Sequence, residues 1–201
     1  MNNLTENIQI FPSQSETLLE NICRDYPFQL RIKKERVTKL GDFIYPRNKE
    51  IPKISVNIDS NEYRVLITFL HELAHLIVFL EVGRQKNPHG ARWKKRFSQL
   101  LHIFQEKDIF PSPLKEAIDR HIIKPKASSY ADIHLLNALR AFDQKTSKSI
   151  LLDLPLNQLF KLKNGKVFQK GQLRRSRILC MEVSSQRKYL IHSHAEVFPF
   201  E

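Results

Sequence analysis

His71-Glu72-Leu73-Ala74-His75, set in an apolar run and followed at a distance by Pro88-His89-Gly90, is the stretch that decides the reading. Residues four apart lie on one face of a helix, so both imidazoles of the first segment can point at one cation. Glu72 projects beside that face, where a carboxylate can take a proton from water. This is the HExxH arrangement of zinc peptidases, in which neutral imidazole nitrogens bind Zn²⁺ and one coordination position stays open. From Val65 to Leu80 nearly every residue is apolar except Thr68, His71, Glu72 and His75. Such a helix is buried on all sides and carries its few polar groups in one place. Buried polar groups need partners, and a metal with its water supplies them. The apolar run is short and broken by ionisable groups, which argues against a membrane span. Asp59 as N-cap with Glu62 three residues on predicts a helix start near Ser60.

The third ligand must come from elsewhere. Metzincins place Gly and then His where this chain has Val78 and Glu81, so that pattern fails. Gluzincins take a Glu from a later helix, and Glu81 is too close on the same helix to swing round. His89 is the better candidate. Gly83 tolerates a left-handed helix end, residues 84–87 form a short polar loop, and Pro88 and Gly90 bracket His89 with a fixed and a free backbone. From Ala91 to Glu106, Trp93, Phe97, Leu100, Leu101 and Phe104 recur at helical spacing. That helix can pack back on the first and hold His89 over the pair.

The stretches 66–75 and His89-Gly90-Ala91-Arg92-Trp93, preceded by the strand-like Lys53-Ile54-Ser55-Val56-Asn57, resemble the SprT-like zinc metallopeptidase family, whose eukaryotic members include a protease for DNA–protein crosslinks. The resemblance covers about Cys23 to Gln105. It implies an α+β, zincin-like domain with a central HExxH helix and a small antiparallel sheet. It also implies that His71, His75 and His89 hold one Zn²⁺ per chain and that Glu72 is the general base. From Leu154 onward the chain looks like the small basic β module of bacterial relatives. Many relatives end in a four-cysteine zinc ribbon, whereas this chain has only Cys23 and Cys180, which argues against a second, structural zinc. The expected division is a catalytic domain over 1–150 and a basic β-rich module over 151–201.

Net charge is +12, and it is clustered. The C-terminal segment carries Lys161, Lys163, Lys166, Lys170, Arg174, Arg175, Arg177, Arg187 and Lys188 around the acid Glu182. A second set, Arg84, Lys86, Arg92, Lys94, Lys95 and Arg96, surrounds His89, and a third, Arg31, Lys33, Lys34, Arg36 and Lys39, lies on the early strands. Clusters of this kind attract polyphosphate and release counterions on binding. Arg84, Lys86, Lys94, Lys95, Lys170, Arg174, Arg175 and Arg177 are the nucleic-acid candidates. With no base-reading motif, binding is expected to ignore sequence. Tyr26, Phe43, Tyr45 and Tyr130 are more readily core residues than base-stacking ones.

Elsewhere, Ser13 and Glu16 form a capping-box pattern ahead of a helix to about Asp25, and residues 28–33 alternate as a half-buried strand. Gly41-Asp42 reads as a turn before strands at 43–45 and 54–58. A short helix follows Pro111 and Pro113, residues 125–129 read as linker, and 132–142 as helix. Strands follow at 158–162, 166–169, 177–183 and 188–192, with Asn164-Gly165 as a hairpin turn. Two distant cysteines and an N-terminus without the order of a signal peptide point to the cytoplasm, or the nucleoid within it. The expected activity is a zinc metalloendopeptidase acting on DNA-associated proteins. The alternatives are a nucleic-acid-binding or transcription-associated protein with a structural or weakly active zinc site, and a general peptidase with incidental basic faces. Tyr45, Tyr63 and Tyr130 are unranked candidates for stabilising the oxyanion.

Overall fold

The structure, a computed structural model, describes residues 2–34, 36, 39–48, 50–127, 132–143, 149–174, 177–193 and 195–200. It is a mixed α+β protein of two compact units, Met1–Gln144 and Lys145–Glu201. The division falls a few residues before the expected 150/151, because the first strand of the second unit, Ser149–Ile150, pairs within that unit. Arg175, Tyr130 and residues 128–129 of the expected linker lie outside the described residues.

In the first unit, 3-10 turns at Thr5–Ile10 and Ser13–Ser15 lead into α1 (Glu16–Cys23). The Ser13 capping box does not form; Ser15 is the N-cap and its hydroxyl instead donates to the Pro12 carbonyl. Three strands follow, β1 (Gln29–Lys33), β2 (Gly41–Ile44) and β3 (Lys53–Asn57), in the order β1-β3-β2. The sheet is mixed, which corrects the expected antiparallel one: β1 runs parallel to β3, and only β2 is antiparallel to it. The long connection between β1 and β3, which contains β2, lets the chain return in the parallel sense. Leu30, Ile32, Ile54, Val56, Gly41 and Phe43 share one face by register, and Arg31, Lys33, Ser55, Asn57 and Asp42 the other.

The first of these faces packs on α2 (Glu62–Val82). The N-cap is Asn61 and not Asp59: the Asn61 side chain accepts from the Arg64 amide at 3.1 Å. The same side chain donates to the Leu139 carbonyl at 2.7 Å, which a carboxylate cannot do, while Asp59 turns the chain by accepting from the Asn61 amide at 2.9 Å. By length and apolar composition α2 could cross a membrane, but 67% of its apolar window is packed inside the protein. Leu66, Phe69, Leu70 and Leu73 are fully buried in a core shared with β3, α3 (Ala91–Glu106), α4 (Ser112–Ile123) and α5 (Ile133–Arg140). Gly83 ends α2 at φ 73°, ψ −169°, a region open to glycine but different from the expected left-handed cap.

The second unit is a six-stranded antiparallel sheet in the order β4-β9-β5-β6-β7-β8. Its strands are β4 (Ser149–Ile150), β5 (Leu159–Lys161), β6 (Val167–Arg174), β7 (Arg177–Glu182), β8 (Lys188–His192) and β9 (Glu196–Pro199). Phe160, Phe168, Ile178, Cys180 and Val197 turn to one face and, with Leu151 and Leu154, form its core.

Candidate metal centre

Three elements bring the site together. His71 and His75 sit one turn apart on α2, and His89 hangs from the loop between α2 and α3. Their Nε2 atoms converge, at 3.3 Å between His71 and His75 and 3.1 Å from each to His89. The three are the only group among the described residues able to hold a metal ion. A tetrahedral zinc with nitrogens at about 2.0–2.1 Å sets those nitrogens about 3.3 Å apart, so the spacing fits zinc. The chemistry fits too. Burial lowers the pKa of all three imidazoles; for His71 the other imidazoles add to the effect, and His75 is brought to about 4. Neutral rings whose nitrogens crowd one point repel each other until a cation sits between them.

Trp93 is the floor of this site. Its ring lies 4.6, 5.4 and 4.7 Å from those of His71, His75 and His89, and its Nε1 donates to the His71 carbonyl at 3.2 Å. Sequence periodicity marked Trp93 only as a core position of α3. Its second job explains why a tryptophan stands four residues after His89: one rigid, flat side chain backs all three ligands. Phe97, one turn on, supports it at 4.9 Å.

Glu72 is buried, with Oε1 3.9 Å from His71 Nε2. Burial, aided by the nearby Asp42 charge, pushes its carboxyl up to about 8, against the pull of the Phe43 backbone amide bonded to it and of Arg36 and Lys39. A dication in the site acts in the opposite direction and favours the carboxylate. The strand that carries Phe43 approaches Glu72 closely because Gly41 has no Cβ. One there would lie 2.7 Å from Thr68 Cγ2, 2.8 Å from the Ser55 carbonyl and 3.2 Å from Glu72 Cγ. Gly41 and Asp42 thus belong to β2 and not to a turn before it. Asp42, on the far face, accepts from Ser55 and pairs with Arg36 and Lys39.

Residues 14–110, which include all of these groups, match the SprT-like family model. That segment is an SprT-like domain. No curated protein and no solved structure matches it. The family suggests a metallopeptidase-related role and implies a metal, and His71, His75 and His89 form a group able to hold one.

The basic residues divide sharply. Lys86, Arg92, Lys94 and Lys95 are exposed in the His89 loop and the first turn of α3, a turn that holds no acid. Arg84 is exposed but lies 5.0 Å over the Tyr45 ring, and Arg96 pairs with Glu81. In the second unit Lys170 is buried, and its ammonium donates to the Leu152 carbonyl at 2.8 Å and to that of Leu154. It is a structural cation, which corrects its expected place among the nucleic-acid contacts. Lys163 and Lys166 pair with Glu196 and Glu182. By register Lys161, Arg174, Arg177 and Lys188 share the sheet face opposite the core, with Arg174 directly across from Arg177. Like charges in such a pair repel unless an anion joins them. Of the tyrosines, Tyr63 sits in the first turn of α2, where Gln14 donates to its hydroxyl and its ring meets Phe142, two turns before His71. Tyr45 lies on the His75 side of the site, next to Phe43.

Proposed function

We propose that this chain is a zinc-dependent endopeptidase whose substrates are proteins held on DNA. The observation that carries the hydrolytic reading is the convergence of His71, His75 and His89 Nε2 atoms beside a buried Glu72. A purely structural zinc has no use for a carboxylate placed there. Zinc held by the three imidazoles supplies a Lewis acid that acidifies water and polarises a peptide carbonyl. Glu72 takes the proton of the attacking water on a carboxylate oxygen. It then delivers that proton to the leaving amine nitrogen, so water is consumed and one acid and one amine are released. Trp93 holds the ligand rings rigid throughout, which keeps the reacting groups in register.

The DNA part of the reading is supported by two exposed basic groups. Lys86, Arg92, Lys94 and Lys95 lie beside His89, and Lys161, Arg174, Arg177 and Lys188 lie on the open sheet face of the second unit. Neither carries a base-reading arrangement, so phosphate contacts dominate and sequence is ignored. The test incubates the zinc-loaded full chain with a DNA-bound protein, with the same protein free of DNA, and with chelator. Zinc-dependent cleavage that is faster on DNA is expected. Cleavage at the same rate without DNA would leave a general peptidase, and no cleavage at all would overturn the reading.

A further inference from the structure

The edge strand β2 touches both halves of the chemistry. Its Gly41 lies beneath the Glu72 side chain, where a Cβ would come 3.2 Å from Cγ, and its Phe43 lies parallel to the His75 ring at 6.4 Å. Yet the strand has only four residues, Gly41-Asp42-Phe43-Ile44, and pairs on one side alone, with β3. Its apolar pattern does not choose a register. Phe43 and Ile44 are consecutive, so either can face α2, and a slip of one residue exchanges the two faces of the strand. In the observed register Phe43 shares the face that packs on α2, and Ile44 is 38% exposed. The slipped register would cover Ile44. It would also turn Asp42 toward the buried helix and put a side chain where only glycine fits.

What holds β2 in its register is polar and lies on the far face of the sheet. Asp42 stands directly across from Ser55, whose buried hydroxyl donates to its carboxylate at 2.7 Å. Arg36, from the connection before β2, donates to the same carboxylate, to the Ser55 hydroxyl at 3.1 Å and to the buried Asn57 side-chain carbonyl at 2.7 Å. Asn57 donates in turn to the Lys39 carbonyl at 2.8 Å, and the Lys39 ammonium pairs with Asp42 at 3.2 Å. One guanidinium thus joins a residue of β2 to two residues of β3, and a one-residue shift of β2 breaks the set. Buried ionic groups of this kind add little net stability, and their best-attested use is to specify register. We propose that Asp42 and Arg36 are positioning residues of the hydrolytic site: their network with Ser55 and Asn57 fixes the register of β2 and, through it, the place of the Glu72 carboxylate. The inference rests on the peptidase reading. Both residues act from the far face of the sheet, through the strand on which Glu72 rests.

The test compares the zinc-loaded full chain with Asp42→Asn, Arg36→Met, the two combined, and Ser55→Ala, which removes a hydrogen bond without changing charge. Zinc per chain and Tm are measured first, and then kcat and KM on a DNA-bound protein at a temperature well below every Tm. Asp42→Asn and Arg36→Met are each expected to lower kcat by about tenfold, the order set by displacing a reacting group by a fraction of an ångström. Ser55→Ala should lose less, and in all variants KM and zinc content should stay at the wild-type level. The combined variant should lose no more than either single one, because the two residues act as one unit. If Arg36→Met or the combined variant fails to fold, Asp42→Asn and Ser55→Ala make the same comparison of kcat with KM. A network that only stabilises the sheet would lower Tm and leave kcat intact at the assay temperature. That result, or losses that multiply in the combined variant, would overturn the inference and leave the peptidase reading standing. No cleavage by the wild-type chain would overturn both.

Discussion

Gly41→Ala is the smallest change that tests how the sheet serves the site. The added methyl would lie 2.7 Å from Thr68 Cγ2, 2.8 Å from the Ser55 carbonyl oxygen and 3.2 Å from Glu72 Cγ. Two of these neighbours cannot swing away. The carbonyl belongs to the central strand β3, and Thr68 is β-branched on a packed helix. β2 must therefore move outward by several tenths of an ångström. Phe43 moves with it, and so does the backbone amide bonded to Glu72. Overpacking of this kind costs about 1–3 kcal/mol. For a chain of this size that corresponds to a Tm lower by about 3–10 °C. The effect on turnover is larger, because a misplaced catalytic group loses rate steeply, on the order of 100-fold for 1 Å. Zinc content should not change, since the ligands stand on α2 and the His89 loop. Differential scanning of the zinc-loaded protein, metal analysis and kcat/KM read the three quantities. A variant with wild-type Tm and wild-type turnover would refute the claim that Gly41 is there to let β2 approach Glu72.

Other outcomes follow from the same geometry. Lys170→Met strands the Leu152 and Leu154 carbonyls, so the second unit should lose about 2 kcal/mol or more in denaturant unfolding; unchanged stability with weakened DNA binding would return Lys170 to the binding surface. Replacing Arg174 and Arg177 by Glu should lower DNA affinity and reduce the slope of log affinity against log salt by about two, while a free peptide is still cut; an unchanged slope would make this face merely solvated. The pH dependence of zinc binding has a definite sign. Burial holds the three imidazoles below their ordinary range, His75 at about 4, whereas it holds Glu72 up to about 8, protonated near neutral pH until a cation arrives. Zinc affinity should therefore rise about tenfold per pH unit between about pH 6 and 7, and flatten in Glu72→Gln. A slope that persists in Glu72→Gln would mean that the protons come from the histidines.

The metal centre was legible because its signal is local. His71 and His75 are fixed by helical spacing, and Pro88 and Gly90 frame His89, so the three imidazoles meet as the spacing implies. The helices of Trp93 and Asp132 were equally plain, since α3 spans the expected residues and Asp132 caps α5. Features that depend on partners distant in sequence were not legible. The parallel pairing of β1 with β3 leaves no mark in alternation, which is the same for both senses of pairing. Asn61 outcompetes Asp59 as a cap because of the Leu139 carbonyl, nearly eighty residues away. Gly41 reads as a turn glycine until the helix above it is known. Lys170 looked like its basic neighbours because sequence gives charge and not depth. A lysine at an alternating position that points inward, between Phe168 and a bulge in β6, was the only hint. Short strands β4 and β9 were missed for want of any periodic run.

The central claim is that the three imidazoles hold zinc and Glu72 does the proton transfer. Glu72→Gln keeps the shape of the side chain and removes the base, so one experiment reads both halves: zinc per chain and rate of cleavage of a DNA-bound protein, for wild type and variant side by side. The account predicts one zinc in each protein and a loss of turnover of about 100-fold or more in the variant. A variant that cuts at the wild-type rate while holding its zinc would contradict it.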